Sequence, residues 1–162
     1  MKILGIDPGT AIVGWAFVEV KGQTPASTMY GAIMTPAGMD IARRLERIHR
    51  QISELIDTHK PDCVSIEDLF FSTNVKTAIS VGQARGVIIL AAAQKGLPVI
   101  SYSPLSVKLS VTGDGKAAKL QVQRMVKVLL KLPEIPKPDD TADALAIALT
   151  HAYSYRLKEK SQ

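Results

Sequence analysis

Two acidic residues follow short apolar runs, at points where a strand would end. Asp7 follows residues 3–6 and precedes the turn-forming Pro8-Gly9 pair, and Glu67 follows residues 63–66. Because the residue before a proline is kept out of the helical region, Asp7 should stay extended at the end of its strand. An unpaired buried carboxylate is costly or becomes protonated. Acids in these places therefore predict a bound cation or a hydrogen-bond partner.

Two further acids lie at the start of a predicted helix. Asp140 and Asp143 are three residues apart, so their side chains should share one face with Cβ atoms about 5 to 6 Å apart. The alternative is that Asp139 or Asp140 caps the helix and Asp143 complements its dipole. Ala144 and Ile147 continue the acidic stripe and are expected to face the core. This pattern favours acids that point inward.

Small residues lie beside these acids and would let the helix approach the strands. The two-residue period of a strand puts Asp7 on the face of Gly5, and Glu67 on the face of Ser65. Together with Ala144, these small residues predict that four carboxylates converge at one rim, namely Asp7, Glu67, Asp140 and Asp143. Such oxygen ligands suit Mg²⁺ or Mn²⁺ rather than Zn²⁺. Two ions about 3.5 to 4 Å apart would clamp the attacking and leaving oxygens of a phosphodiester.

The elements that must position these acids can be outlined from hydrophobic periodicity. The chain should open with three antiparallel strands and continue as alternating helices and strands. Strands are predicted at residues 3–6, 15–20, 29–34, 63–66 and 98–103, and helices at 40–60, 76–95, just after Pro104, at 118–132, and from Asp139 or Asp140 to about Leu157. The prediction is an α/β fold with one mixed sheet.

Composition narrows the class of protein. The 162 residues suffice for one domain, and 46% hydrophobic with 22% charged residues is typical of globular proteins. Met1 and Lys2 lead directly into the first strand, so we expect a cytoplasmic protein with no signal peptide and no membrane partner. Cys63 is the only cysteine, which excludes an internal disulfide and redox chemistry and predicts a buried thiol. The net charge of +5 favours an anionic partner.

Five motifs, in order, resemble the RuvC family of Holliday junction resolvases over nearly the whole chain. They are residues 5–9 (GIDPG), 66–67 (IE), 82–86 (GQARG), 107–108 (VK) and 140–146 (DTADALA). The resemblance implies a single ribonuclease H-like nuclease domain over residues 1–157, with a mixed five-stranded sheet flanked by helices and a charged tail at 158–162. It aligns Asp7, Glu67, Asp140 and Asp143 with the family's four metal-binding acids. The neighbouring Asp68 and Asp139 do not match the motifs.

The resemblance also implies contacts with DNA. It aligns Phe70 with the family's aromatic residue that stacks on unpaired bases at the junction centre. Phe71 follows it, and we expect Phe71 to anchor the loop while Phe70 stays exposed, since stacking needs an exposed ring face. Lys108 and Lys119 match family lysines that contact DNA near the scissile phosphate.

The resulting prediction is a dimeric, Mg²⁺-dependent endodeoxyribonuclease of recombination and DNA repair. It would nick two symmetry-related strands of a four-way junction by two-metal-ion hydrolysis and leave 5′ phosphates, with Mn²⁺ able to substitute. The helix at 76–95 is the candidate dimer interface, because Gly82, Ala84 and Gly86 would allow close approach. Packing of this helix on its own sheet would use the same small residues equally well. A branch-migration helicase complex is a partner expected by resemblance.

Two other classes of protein share some of these sequence features, namely an ATPase and a non-catalytic scaffold. An actin-like or sugar-kinase-like ATPase would open with a similar sequence at residues 5–10, but it needs two such domains and this chain has residues for one. A non-catalytic junction-binding scaffold would explain the basic charge and Phe70. It would have no need of four aligned acids.

Overall fold

The computed structural model describes residues 1–22, 24–68 and 75–159. Five strands and five helices follow one another within these residues. They are β1 (Lys2–Asp7), β2 (Ile12–Lys21), β3 (Thr24–Met34), α1 (Ile41–His59), β4 (Cys63–Glu67), α2 (Val75–Gln94), β5 (Val99–Tyr102), α3 (Pro104–Thr112), α4 (Lys119–Leu129) and α5 (Asp139–Glu159).

All five strands form one mixed sheet in the order β3-β2-β1-β4-β5. β1, β2 and β3 pair antiparallel, whereas β4 pairs parallel with β1 and with β5. This confirms the predicted α/β class and the antiparallel start. β3 begins at Thr24, earlier than predicted, because backbone bonds pair its polar first half with the end of β2 beyond an irregularity at Phe17 and Val18.

Both faces of the sheet are covered, which explains why β1 is apolar on both sides. α5, α3 and α4 cover one face, where Ile3 packs in a buried cluster with Leu145 and Leu149. α1 and α2 cover the other face, where Leu4 belongs to a cluster that includes Ile52 and Ile88, among other apolar residues. Cys63 is a buried free cysteine, as predicted.

Glycines let α5 lie directly against the strands that carry the site. A Cβ atom at Gly5 would overlap the Ala144 carbonyl oxygen and would lie 2.7 Å from the Ala148 Cβ atom. A Cβ atom at Gly14 of β2 would overlap the Asp140 carbonyl oxygen. The close approach predicted from small residues is therefore confirmed, and it places the first turns of α5 at the end of β1.

The last helix is nearly all buried up to Ala152, as its apolar composition predicts. It begins at Asp139 and continues to Glu159, two residues beyond the predicted end. Within the described residues, none of the helices combines the length and the apolar character needed to cross a membrane.

Candidate active site

A cavity of about 270 Å³ opens where β1 and β4 end, between the sheet and helices α3, α4 and α5. The parallel pairing of β1 and β4 brings their carboxyl ends to the same edge of the sheet. Five of the seven predicted site residues line the cavity. The complete lining is Asp7, Glu67, Pro104, Val107, Lys108, Lys119, Val122, Asp143, Ala146 and Ile147.

The two strand acids carry strongly perturbed pKa values. Burial raises the pKa of Asp7 to about 8, and the charges of Glu67, Asp143 and Asp140 add to the effect while Lys119 opposes it. Burial also raises the pKa of Glu67 to about 7, with a further contribution from Asp143. Carboxyl groups held together in this way favour a shared positive charge.

Lys119 of α4 supplies part of that charge from within the protein. Its Nζ atom lies 2.9 Å from Asp143 Oδ2, and the two side chains are 56% and 29% exposed. Burial raises the pKa of Asp143, although the hydrogen bond and charge of Lys119 oppose the shift. Burial works against the charged form of Lys119, but the hydrogen bond and charge of Asp143, together with the charges of Asp139 and Asp140, more than offset it, and the pKa of the ammonium group is raised.

Asp140 lies beside the cavity and does not line it. Its carbonyl oxygen packs against Gly14, and its negative charge contributes to the raised pKa values of Asp7 and Asp143. Asp139 is the first residue of α5. Its Oδ1 accepts a hydrogen bond of 2.8 Å from Lys137, which lowers the pKa of its carboxyl group.

The remaining predicted residues divide into two groups. Lys108 of α3 lines the cavity, and its charge opposes the upward shift of the Glu67 pKa that burial causes. Phe70 and its neighbour Phe71 fall within 69–74, outside the described residues. The expectations for these two rings stay predictions.

The donor set fits hard divalent cations, although its side chains are not gathered around one point. Asp7, Glu67 and Asp143 offer only carboxylate oxygens, the ligands that Mg²⁺ and Mn²⁺ prefer. A cation would favour their ionised forms over the protonated forms that burial favours. Within the described ranges, no three His, Cys, Asp or Glu side chains are placed to hold one ion together.

Sequence reasoning assigned no role to Arg85, which contacts the base of the site. Its Nε donates to the Glu67 carbonyl oxygen at 3.1 Å, and its terminal nitrogen donates to Asp68 and to Ser101. A signal was present in the sequence. α2 contains no acidic residue, so an arginine in this helix has to find its partners on other elements.

His151 of α5 is a buried polar residue beside β5. Its Nδ1 atom lies 2.9 Å from the hydroxyl of Tyr102, the residue paired with Glu67 in the β4 and β5 register. His49 and His59 lie elsewhere, on α1. Within the described residues, the three histidines form no metal site.

A mixed β3-β2-β1-β4-β5 sheet with acids at the ends of β1 and β4, covered by α5, has the ribonuclease H-like fold. The family model described as "Crossover junction endodeoxyribonuclease RuvC" matches residues 3–151. The chain therefore belongs to the RuvC family.

Relatives and a solved structure agree with this assignment over almost the full length. The chain is 54% identical over 160 residues to the RuvC of Halothermothrix orenii, covering 99% of this chain and 97% of the relative. It is 56% identical over 162 residues to the RuvC of Moorella thermoacetica, with 99% and 97% covered. A structure of T. thermophilus RuvC in complex with Holliday junction substrate superposes with a TM-score of 0.92 at 38% identity, covering 98% and 96% of the two chains.

Proposed function

We propose that the chain is a structure-specific endonuclease that resolves four-way DNA junctions in recombination and DNA repair. The observation that carries this proposal is the cavity in which three partly buried acids meet two lysines at the ends of β1 and β4. Membership of the RuvC family supports the substrate, since a similar protein has been solved with a Holliday junction. A non-catalytic scaffold has no use for this group of acids, and an ATPase of this kind would need a second domain, for which the 162 residues do not suffice.

In this proposal, Asp7, Glu67 and Asp143 hold divalent cations from the cavity wall, and Asp140 completes the set from beside it. When bound, two Mg²⁺ ions, or Mn²⁺ in their place, would supply an activated water for attack and stabilise the departing 3′ oxygen, so that the product carries a 5′ phosphate. Asp7 and Glu67 directly follow the last residues that β1 and β4 pair with each other, Ile6 and Ile66. The contribution of the protein is to present these acids on two adjacent strands and one helix.

The two lysines supply positive charge towards the DNA backbone. Lys108 and Lys119 stand on α3 and α4 and line the same cavity as the acids. The Lys119 side chain is 56% exposed, so it can turn from Asp143 towards a phosphate oxygen. A positioned ammonium group stabilises negative charge that develops on the phosphate in the transition state.

Phe70 is proposed to stack on an unpaired base at the junction centre. It follows Glu67 by three residues, so a base contact at Phe70 would lie near the cavity. Stacking on an aromatic ring is worth about 1 to 3 kcal/mol per base and tolerates any sequence. This contact would favour a junction over an intact duplex, whose bases are already stacked on one another.

We also propose a homodimer that meets through the outer face of α2. Ile79 and Leu90 are 58% and 49% exposed there, and Gly86 has open space beside its Cα atom. Ala84, which we expected at the interface, is buried in the chain's own core instead. A two-fold dimer matches the two-fold character of the junction. A branch-migration helicase complex is a further proposed partner, by family resemblance.

The experiment that tests this function compares a four-way junction with a linear duplex of matched sequence, each with and without Mg²⁺. We expect cleavage of the junction alone and only with the metal. Cleavage of both substrates at one rate would refute structure specificity. Binding of the junction without any cleavage would favour the scaffold, and ATP hydrolysis without cleavage would favour the ATPase.

The dimer has its own test, a supercoiled plasmid with an extruded cruciform. Paired nicks within the lifetime of one complex should linearise the plasmid, because the two sites act together. Leu90→Lys should place a charge in the proposed interface and yield nicked circles. Wild-type protein that accumulates nicked circles and sediments as a monomer would refute the dimer, even if the metal chemistry were correct.

A further inference from the structure

We infer that Arg85 is a positioning residue that fixes Glu67 in the active site by holding the peptide group that follows it. The inference rests on the proposed function, because it assigns Glu67 to the metal site. Arg85 stands on α2, on the other side of the sheet from α5, and it does not line the cavity. It would act only through the position of Glu67.

Both polar groups of the peptide between Glu67 and Asp68 are fixed by hydrogen bonds. The carbonyl oxygen of Glu67 accepts from Arg85 Nε at 3.1 Å. The backbone N–H of Asp68 donates to the carbonyl oxygen of Tyr102 at 2.9 Å. A peptide group is planar, so two bonds on its opposite ends set its orientation and with it the direction of the Glu67 side chain.

The arginine is needed because the sheet does not hold this peptide on its own. The register of β1 with β4 ends at Ile6 and Ile66, one residue before Glu67. Beyond that point β5 is the remaining strand neighbour, through the pairing of Glu67 with Tyr102. Arg85 therefore donates a hydrogen bond to the Glu67 carbonyl oxygen just after the last residue of β4 that pairs with β1.

The planar guanidinium group is suited to this task because it reaches three partners at once. In addition to the Glu67 carbonyl, its terminal nitrogen lies 3.0 Å from Asp68 Oδ1 and 2.6 Å from Ser101 Oγ. The Asp68 side chain is 48% exposed, so the ion pair itself contributes little. The Arg85 side chain is only 19% exposed, so its bond to the Glu67 carbonyl is largely shielded from water. A lysine has the same charge, but it lacks the planar set of N–H donors that can bond to all three partners at the same time.

The test measures Mn²⁺ binding to the full-length protein by calorimetry, alongside kcat and KM for a four-way junction. We expect Arg85→Ala and Arg85→Lys to weaken Mn²⁺ binding and lower kcat by about 10-fold or more, the usual effect of losing a group that orients a ligand. KM for the junction should change little. Asp68→Asn removes only the negative charge of the exposed partner and should stay close to wild type.

Arg50→Ala is the matched control, because Arg50 pairs with Glu54 at 3.9 Å on the exposed side of α1. It should leave Mn²⁺ binding and kcat unchanged. If Arg85→Ala does not fold, Arg85→Lys decides the question. Wild-type Mn²⁺ affinity and kcat in the folded Arg85 variants, with or without a lower Tm, would overturn the inference. Wild-type protein that binds Mn²⁺ but cuts no junction would refute the proposed function, while the Mn²⁺ titrations would still decide the role of Arg85.

Discussion

The two ends of β1 carry charged residues around cavities of nearly equal volume, but the charges are arranged differently. Opposite charges are paired at the amino end, whereas several acids lie together at the carboxyl end. At the amino end the cavity is about 280 Å³, and Glu19 lies 2.8 Å from Lys21 and 3.5 Å from Lys2. The hydrogen bond from Lys21 lowers the pKa of the Glu19 carboxyl group. At the carboxyl end the cavity is about 270 Å³, and burial beside other acids raises the pKa of Asp7 to about 8.

The difference separates charges that stabilise the fold from charges to which we assign a role in the proposed reaction. The amino end gives each acid a donor: Glu19 pairs with Lys21 and Lys2, and the Asp62 carboxylate accepts the backbone N–H of Lys2 at 2.6 Å. The carboxyl end places three acids around one cavity with Lys119 as the base in direct contact. Unlike the pairing at the amino end, this grouping of acids lowers the stability of the folded protein. Carboxyl groups whose pKa values are raised in this way are typical of functional sites.

Replacing an acid at the carboxyl end should have the largest effect. We expect Asp7→Asn and Asp143→Asn each to lower junction cleavage by about 100-fold or more, since each removes a proposed metal ligand. Junction binding in Ca²⁺ should remain close to wild type, because neither acid is a proposed DNA contact. Glu19→Gln, at the other end of the strand, should cleave normally. Normal cleavage by either Asn variant would remove that acid from the ligand set.

Phe70 is the proposed base contact and follows β4 in the sequence, and its loss should have the next largest effect. Phe70→Ala should lower junction cleavage by an amount equivalent to about 1 to 3 kcal/mol, the value of one stacked base. Phe71→Ala should lower the melting temperature more than it lowers cleavage. Equal losses of activity and of melting temperature in both variants would indicate a purely structural pair.

The free energy of unfolding of the metal-free protein should depend on pH through the acids at the carboxyl end of β1, and this is the smallest of the expected effects. An unfolded Asp titrates near 3.9, whereas Asp7 in the folded protein titrates near 8. Between these pH values the folded state holds the additional proton, so raising the pH lowers the free energy of unfolding. Urea titrations in chelator should therefore give a smaller fall in stability from pH 5 to 8 for Asp7→Asn than for wild type. Parallel profiles would contradict the raised pKa of Asp7.

Much of the fold could be predicted because its signals are local. The two-residue and 3.6-residue periods located every strand and helix, and the small Gly5 and Ala144 correctly indicated that α5 packs closely on β1. The limits of β3 could not be predicted, because the polar residues from Thr24 onwards are held by backbone pairing with β2 and carry no hydrophobic pattern.

The site was only partly predictable, because its remaining features depend on packing between distant elements. The contact of Lys119 with Asp143 is set by the way α4 packs on α5, which periodicity does not specify. Asp139 could have been a cap, but it is the first residue of α5 and pairs with Lys137. Arg85 stood within a recognised motif, but its partners at Glu67, Asp68 and Ser101 appear only when α2 lies across β4 and β5.

The central claim is that the carboxyl end of β1 is a cation site whose acids destabilise the metal-free protein. Thermal unfolding at pH 8, with Mg²⁺ added after a chelated baseline, tests it most directly, because an ion that binds the folded state raises Tm. We predict that Mg²⁺ raises the Tm of wild type, and that Asp7→Asn starts from a higher metal-free Tm and gains little. An equal gain in both proteins, or none in wild type, would contradict the claim.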